Sequence, residues 1–198
     1  MYLKTPDEHF RLYRDSIRNE ILKLSTYYKH FKHLTDLTNT YLDELNQAPC
    51  FFKATMEAFF SSTILWAAKL LDTNSQKGIH NFVSFSMANT KIFTYSAINK
   101  TEVNDLMLKL SNLPSTSNIK TRRDKYHAHF DTKYFFDQSK LDIEAPILWG
   151  DFEEIISVLT DIYNYFSSRY DGMNTSMEYL NINDIDGLLS KVKSRHTS

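Results

Sequence analysis

Apolar residues recur at intervals of three and four through Phe10, Tyr13, Ile17, Ile21, Leu24, Tyr28, Phe31, Leu34, Tyr41 and Leu45. Only the interval from Leu34 to Tyr41 is longer, at seven. This rhythm predicts one long amphipathic helix, straight or kinked. Its start is written in Thr5-Pro6-Asp7-Glu8: Thr5 can cap, Pro6 suits the first helical position, and Glu8 completes a capping box. The basic residues along it (Lys23, Lys29, His30, Lys32 and His33) read as a solvated face.

Pro49 restarts the pattern. From about Cys50 to Leu71 apolar residues occupy several faces, which predicts a helix at the centre of a bundle, stopped by Asp72-Thr73-Asn74-Ser75. Ile79 to Met87 is ambiguous between helix and extended chain, since Phe82, Val83 and Phe85 suit either. Thr101, Glu102 and Asp105 open a helix carrying Val103, Leu106, Met107 and Leu110, which ends before Pro114. Pro114 to Asn118 reads as a loop, with the next helix beginning near Ile119. Asp131 to Gly150 is irregular and reads as a connection with room for a short extended piece. Asp151-Phe152-Glu153-Glu154 has the offset of a capping box with Asp151 as the cap. The stripe Phe152, Ile155, Ile156, Leu159, Tyr163 and Phe166 follows, and Gly172 closes it. The fold class expected is all-α, an antiparallel helix bundle over residues 5–170. A polar tail, 171–198, holds one weak helix near Ile182 to Lys193.

Composition narrows this picture. A length of 198 residues with 42% hydrophobic and 14% aromatic content suits one globular domain, and four glycines and four prolines favour long helices over a turn-rich β-protein. The abundant Tyr and Phe read as core filling rather than as a base-stacking platform. A net charge of −1 gives no global attraction to nucleic acid, so phosphate binding would need a local patch. Cys50 is the lone cysteine, which rules out an intrachain disulfide and fits a reducing compartment. The amino terminus shows no targeting pattern, and the greasiest stretch, Ala54 to Ala68, is broken by Thr55, Glu57, Ser61, Ser62 and Thr63. A soluble, cytoplasmic protein with no membrane association is the expectation.

The local patch lies between Arg122 and Asp131, where two arginines, a lysine, two histidines and two aspartates fall within ten residues. Arginine offers a permanent planar cation matched to phosphate, and histidine exchanges a proton near neutrality. On an ideal helix Arg122 and His129 share a face, as do Arg123 and His127. Arg123 and His129 lie about 120° apart, and converge only through a long side chain, a local distortion or a position at the helix start. The competing interpretation is a charged, solvated face of weak ion pairs. A metal site from His127, His129 and Asp131 is disfavoured, because residues two apart on a helix point nearly opposite ways. Neither a metal nor a cofactor is expected.

The run Arg123-Asp124-Lys125-Tyr126-His127-Ala128-His129 resembles the central motif of the HEPN superfamily. In the form RDKxxAH with a nearby acidic residue, Asp131, it is similar to the branch named for abortive phage infection proteins. The order of elements agrees: a long first helix, an apolar second helix ending in a Leu-Asp pair (Leu71-Asp72), and the motif ahead of a last bundle helix. The resemblance implies a four- to five-helix bundle that pairs as a homodimer with its two motifs across a cleft. In catalytic members of that superfamily the activity is metal-independent endoribonuclease chemistry on RNA. Carried onto this chain, Arg123 would hold the scissile phosphate, His129 would act as general acid or base toward the ribose 2′-hydroxyl, and Asp124 would orient one of them. Arg122, Lys125 and His127 would be helpers in attracting phosphate, or would themselves stand in the principal roles. The expected role is a toxin or phage-defence effector restrained by an antitoxin or other regulatory protein. The alternatives are a non-catalytic HEPN module that binds nucleotide or protein, and a purely structural helical dimer.

Overall fold

In the computed structural model the described residues are 5–127, 131–137, 139–178 and 184–196. Among them no strand occurs, and the chain is all-α. Helix α1 (Pro6–Leu37) begins as its sequence requires: the Glu8 amide donates to Thr5 Oγ1 at 3.2 Å and the Thr5 amide to Glu8 Oε2 at 2.8 Å. It ends earlier than its apolar rhythm suggests. Thr38-Asn39-Thr40 forms a turn, and Leu45 belongs to a separate short helix, α2 (Leu42–Leu45). Thr and Asn side chains compete with helical bonding, and the seven-residue interval supplies no apolar contact to hold the helix across them.

Helix α3 (Pro49–Leu71) is buried only in its second half, at Thr63, Ile64, Ala67, Ala68, Leu70 and Leu71. Its first half leaves Phe51 63% exposed, so it is a central helix at one end only. The ambiguous segment is helix α4 (Ile79–Ala88), with Phe82 fully buried. Helix α5 (Lys100–Ser111) is capped by Asn99 rather than Thr101, the Asn99 Oδ1 accepting from the Thr101 amide at 2.9 Å.

Helix α6 (Pro114–Arg122) replaces the expected loop, with Pro114 at its first turn where a missing N–H costs nothing. Two short helices, α7 (Thr132–Phe136) and α8 (Ser139–Glu144), stand where an extended piece was expected. Helix α9 (Trp149–Asp171) starts two residues before Asp151. That carboxylate acts from inside the first turn, accepting from the Leu148 amide at 2.7 Å. Gly172 closes α9 at φ 78°, a conformation glycine adopts without strain.

The side-chain pairs fix the directions. Arg14 near the start of α1 meets Asp171 at the end of α9, while Tyr28 further along meets Glu153 near its beginning. Glu20 of α1 meets Lys69 of α3, and Phe31 meets Phe60. Glu102 and Lys109 of α5 reach Arg169 and Asp161 of α9. Both α1 and α5 therefore run antiparallel to α9, and α1 antiparallel to α3. The core between them is aromatic: Phe10 lies 5.8 Å from Phe82 and 5.0 Å from Phe93, and Phe82 lies 5.5 Å edge-on from Phe166.

The last helix, α10 (Asp184–His196), packs Leu189 against Leu37 and Leu45, and Met177 enters the main core. The basic face of α1 is accordingly not simply solvated. Lys29 pairs with Glu178, His33 with Asp186, and Lys23 lies over the Trp66 ring. No helix among the described residues is long and apolar enough to cross a membrane.

Candidate functional site

The charged decad is not on a regular helix. At Arg123 the chain widens into a π turn, Arg123–His127, in which backbone bonds close five residues apart. Asp131 then accepts from the Lys133 amide at 3.0 Å and caps α7, while its own amide returns to the Lys125 carbonyl at 3.0 Å. The wider turn changes which side chains share a face. Ideal helical spacing would group Arg123 with His127. Instead Arg122, Tyr126 and His127 line one cavity, and Arg123 lines another with Lys120. These two cavities have no lining residue in common.

Arg122 is buried. Its Nε donates to the Ala145 carbonyl at 2.6 Å, and its Nη2 donates to the Leu141 carbonyl at 3.3 Å and to Asp142 Oδ1 at 2.7 Å. The guanidinium thus caps the carboxyl end of α8, where the helix dipole favours a cation. Asn118 adds a bond to the Pro146 carbonyl at 2.8 Å. Together they fasten α6 to the connection before α9.

Arg123 lies against the second cavity, about 390 Å³, between the end of α3, the start of α4 and the α5–α6 junction. Its Nε donates to Asp124 Oδ1 at 2.6 Å, and its Nη1 is a long 3.5 Å from Asp72 Oδ2. The bond donated to Asp124 and the charges of Asp124 and Asp72 raise the guanidinium's pKa further, outweighing burial. Asp72 is itself fixed, its Oδ1 accepting from the Asn74 amide at 3.0 Å. His80 lines the same cavity from α4, with apolar walls from Ala68, Leu71, Leu110 and Leu113. Gly78 makes this juxtaposition possible: a Cβ there would meet the Asp72 carbonyl oxygen at 2.7 Å, so only glycine lets the chain turn back tightly enough to bring α4 beside Asp72.

In the first cavity, about 380 Å³, His127 Nδ1 lies 3.2 Å from Ser61 Oγ and the ring packs edge-on against Phe60. Burial, aided by the positive charge of Arg122, pushes the imidazole down to about 4. His127 is therefore neutral at pH 7. An unfolded chain takes up this proton near pH 6.5 while the folded chain resists it to about 4. The associated stability is complete above pH 6.5 and is lost as pH falls through about 4. Allowing for partial solvent screening, acidification from pH 7 to 4 should remove about 2 kcal/mol through this group. Melting curves across that range should show a shallower acid-side decline in His127→Gln than in wild type. Parallel declines would show that His127 does not carry the effect.

Lys125 is exposed and pairs with Asp131 at 3.4 Å. His129 lies outside the described residues. Among the described residues no group of three or more His, Cys, Asp or Glu side chains is arranged to hold a metal ion. A larger cavity, about 700 Å³, lies away from the decad, between α1 and α9 beside residues 175–178. Sequence reading singled out neither His80 nor Lys120 as site residues. A lone histidine on an apolar helix carries no local signal, and only the short span from Asp72 through Gly78 hints that α4 doubles back.

A model of the HEPN class described as AbiU2 matches residues 7–188 of the chain. No curated protein and no solved structure matches it.

Proposed function

The chain belongs to the AbiU2 family of HEPN proteins, and from that premise we propose that it is a metal-independent endoribonuclease acting in phage defence or as a toxin. The observation that carries this reading is the setting of Arg123. Asp124 takes its Nε at 2.6 Å, whereas the nearest contact of its outer nitrogens among the described residues is the long one to Asp72. The fork is thereby held and charged, yet keeps donors for a phosphate on the wall of an open cavity. There it would stabilise the negative charge that builds on phosphorus-bound oxygens during attack by the ribose 2′-hydroxyl. His129 would exchange a proton in that step, and Asp124 orients the arginine. Lys120 and Lys125 would add to the attraction for the RNA backbone.

Total RNA incubated with purified protein in excess EDTA tests this directly. The expected products carry a 2′,3′-cyclic phosphate and a 5′-hydroxyl. Intact RNA, or cleavage that survives both Arg123→Ala and His129→Ala, would sink the ribonuclease reading and leave a module that binds nucleotide or protein.

The active species in this reading is a homodimer, restrained in the cytoplasm by a regulatory partner. The exposed apolar residues of α2 and α3, Leu42 at 58% and Phe51 at 63%, flank a groove lined by Phe52, Met56 and Phe60, and a second copy is the occupant assigned to it. Light scattering should give twice the 23.3 kDa chain mass, and Phe51→Glu should halve it. A monomeric wild type at micromolar concentration would remove the dimer from the proposal.

A further inference from the structure

Cleavage by 2′-hydroxyl attack moves two protons: one leaves the attacking hydroxyl and one joins the departing 5′-oxygen. Arginine stays protonated at any working pH and can serve as neither carrier. His129 alone fills only one of the two roles, and the structure narrows the choice for the other. His9 packs against the rings of Tyr13 and Phe85. The His30 ring is bonded to the Thr26 carbonyl, and His33 is paired with Asp186. His127 is turned into the other cavity against Ser61. Among the described residues, His80 alone of the histidines lines the cavity that holds Arg123.

We propose that His80 is the general base of the reaction, taking the 2′-hydroxyl proton of an RNA strand whose phosphate is held by Arg123. The assignment rests on the ribonuclease reading above and adds a catalytic residue outside the decad. The charged groups facing His80 across the cavity are Asp72, Lys120 and Arg123. Burial lowers the affinity of His80 for a proton and the Asp72 carboxylate partly restores it, so the ring is neutral and ready to accept. No hydrogen bond to another described residue occupies the ring. The apolar walls at Ala68, Leu71, Leu110 and Leu113 suit the face of one nucleobase, and about 390 Å³ admits a single nucleotide.

The step balances. The 2′-hydroxyl proton passes to the neutral imidazole of His80 as the 2′-oxygen bonds to phosphorus. The bond from phosphorus to the 5′-oxygen breaks, and that oxygen takes a proton from a second, protonated donor, the role left to His129. Nothing is oxidised or reduced.

The test uses an oligoribonucleotide cut at one mapped linkage, and the same strand with sulfur replacing the bridging 5′-oxygen. A thiolate leaves without protonation, so sulfur rescues loss of the acid and not loss of the base. Arg123→Ala should slow cleavage of both strands by about 10²–10³-fold. His80→Gln should slow both by about 10²–10⁴-fold with KM nearly unchanged. Added imidazole should restore cleavage to His80→Gly, since the cavity is open to a molecule of that size. Cleavage by His80→Gln at the wild-type rate would overturn the proposal, and so would rescue by sulfur, which would make His80 the acid. If His80→Gln fails to fold, the His80→Gly protein with imidazole decides, and absence of rescue in a folded His80→Gly chain counts against the base. Wild-type protein that cleaves neither strand in EDTA would end the ribonuclease reading and this proposal together. Loss in Arg123→Ala without loss in the His80 variants would end only the latter.

Discussion

Arg123→Ala is expected to lower RNA cleavage by about 10²–10³-fold, the usual effect of removing one donor from a developing oxyanion. Stability should hardly move. The guanidinium is 22% exposed, its partners Asp124 and Asp72 are 42% and 33% exposed, and partly solvated pairs of this kind contribute about 0–1 kcal/mol. For a chain of this size that corresponds to a melting shift within about 4 °C. Arg123→Lys keeps the charge but loses the planar fork, and should recover only a minor part of the rate. Cleavage kinetics and thermal melts on the same three proteins suffice. A variant that melts with wild type and cleaves at the wild-type rate would show that Arg123 does not touch the scissile phosphate.

The adjacent arginine should behave in the opposite way. Arg122→Ala removes donors from the Ala145 and Leu141 carbonyls and the ion pair to Asp142, and deletes a side chain that is only 8% exposed. Two carbonyls then lose a charged donor and a buried volume is vacated, together about 3 kcal/mol. At about 2–4 °C per kcal/mol the melting temperature should fall by roughly 6–12 °C. Arg122→Lys cannot span the carbonyls and the carboxylate at once, and should recover less than half of the loss. Urea unfolding checks this: the midpoint should drop with an unchanged slope. An unchanged midpoint would mean that α8 is held to the bundle without its arginine.

These two neighbours mark the boundary of what the chain's pattern reveals. Arg122 and Arg123 are indistinguishable as letters; helical spacing sets them on different faces but does not say which face meets the bundle. In the fold Arg122, the last residue of α6, enters the bundle as a helix cap, and Arg123, the first of the π turn, lies on a cavity wall. The same turn parts His127 from Arg123, which regular spacing would have grouped. Sequence alone shows that charge and imidazole are concentrated between Arg122 and Asp131. Which of them meet depends on a backbone register one residue wider than the helical one. His80 was legible only as a histidine on an apolar helix, because its neighbours Asp72 and Arg123 stand 8 and 43 positions away.

What the sequence determined by itself is the local part of the architecture. The Thr5–Glu8 capping box, the stripe from Phe152 to Phe166 and the stop at Gly172 all follow from contacts within a few residues, so one segment's pattern carries them. The class followed too, since four glycines and a near-continuous helical rhythm admit little else. Tertiary structure decided the ends and the exceptions. It left half of α3 exposed and laid α10 and Met177 over a face that sequence alone treats as solvated. It also set the carboxylate of Asp72 beside Arg123 and His80. Each of these turns on contacts between residues far apart in the chain. A helix's own spacing says which residues share a face, but not what that face will meet.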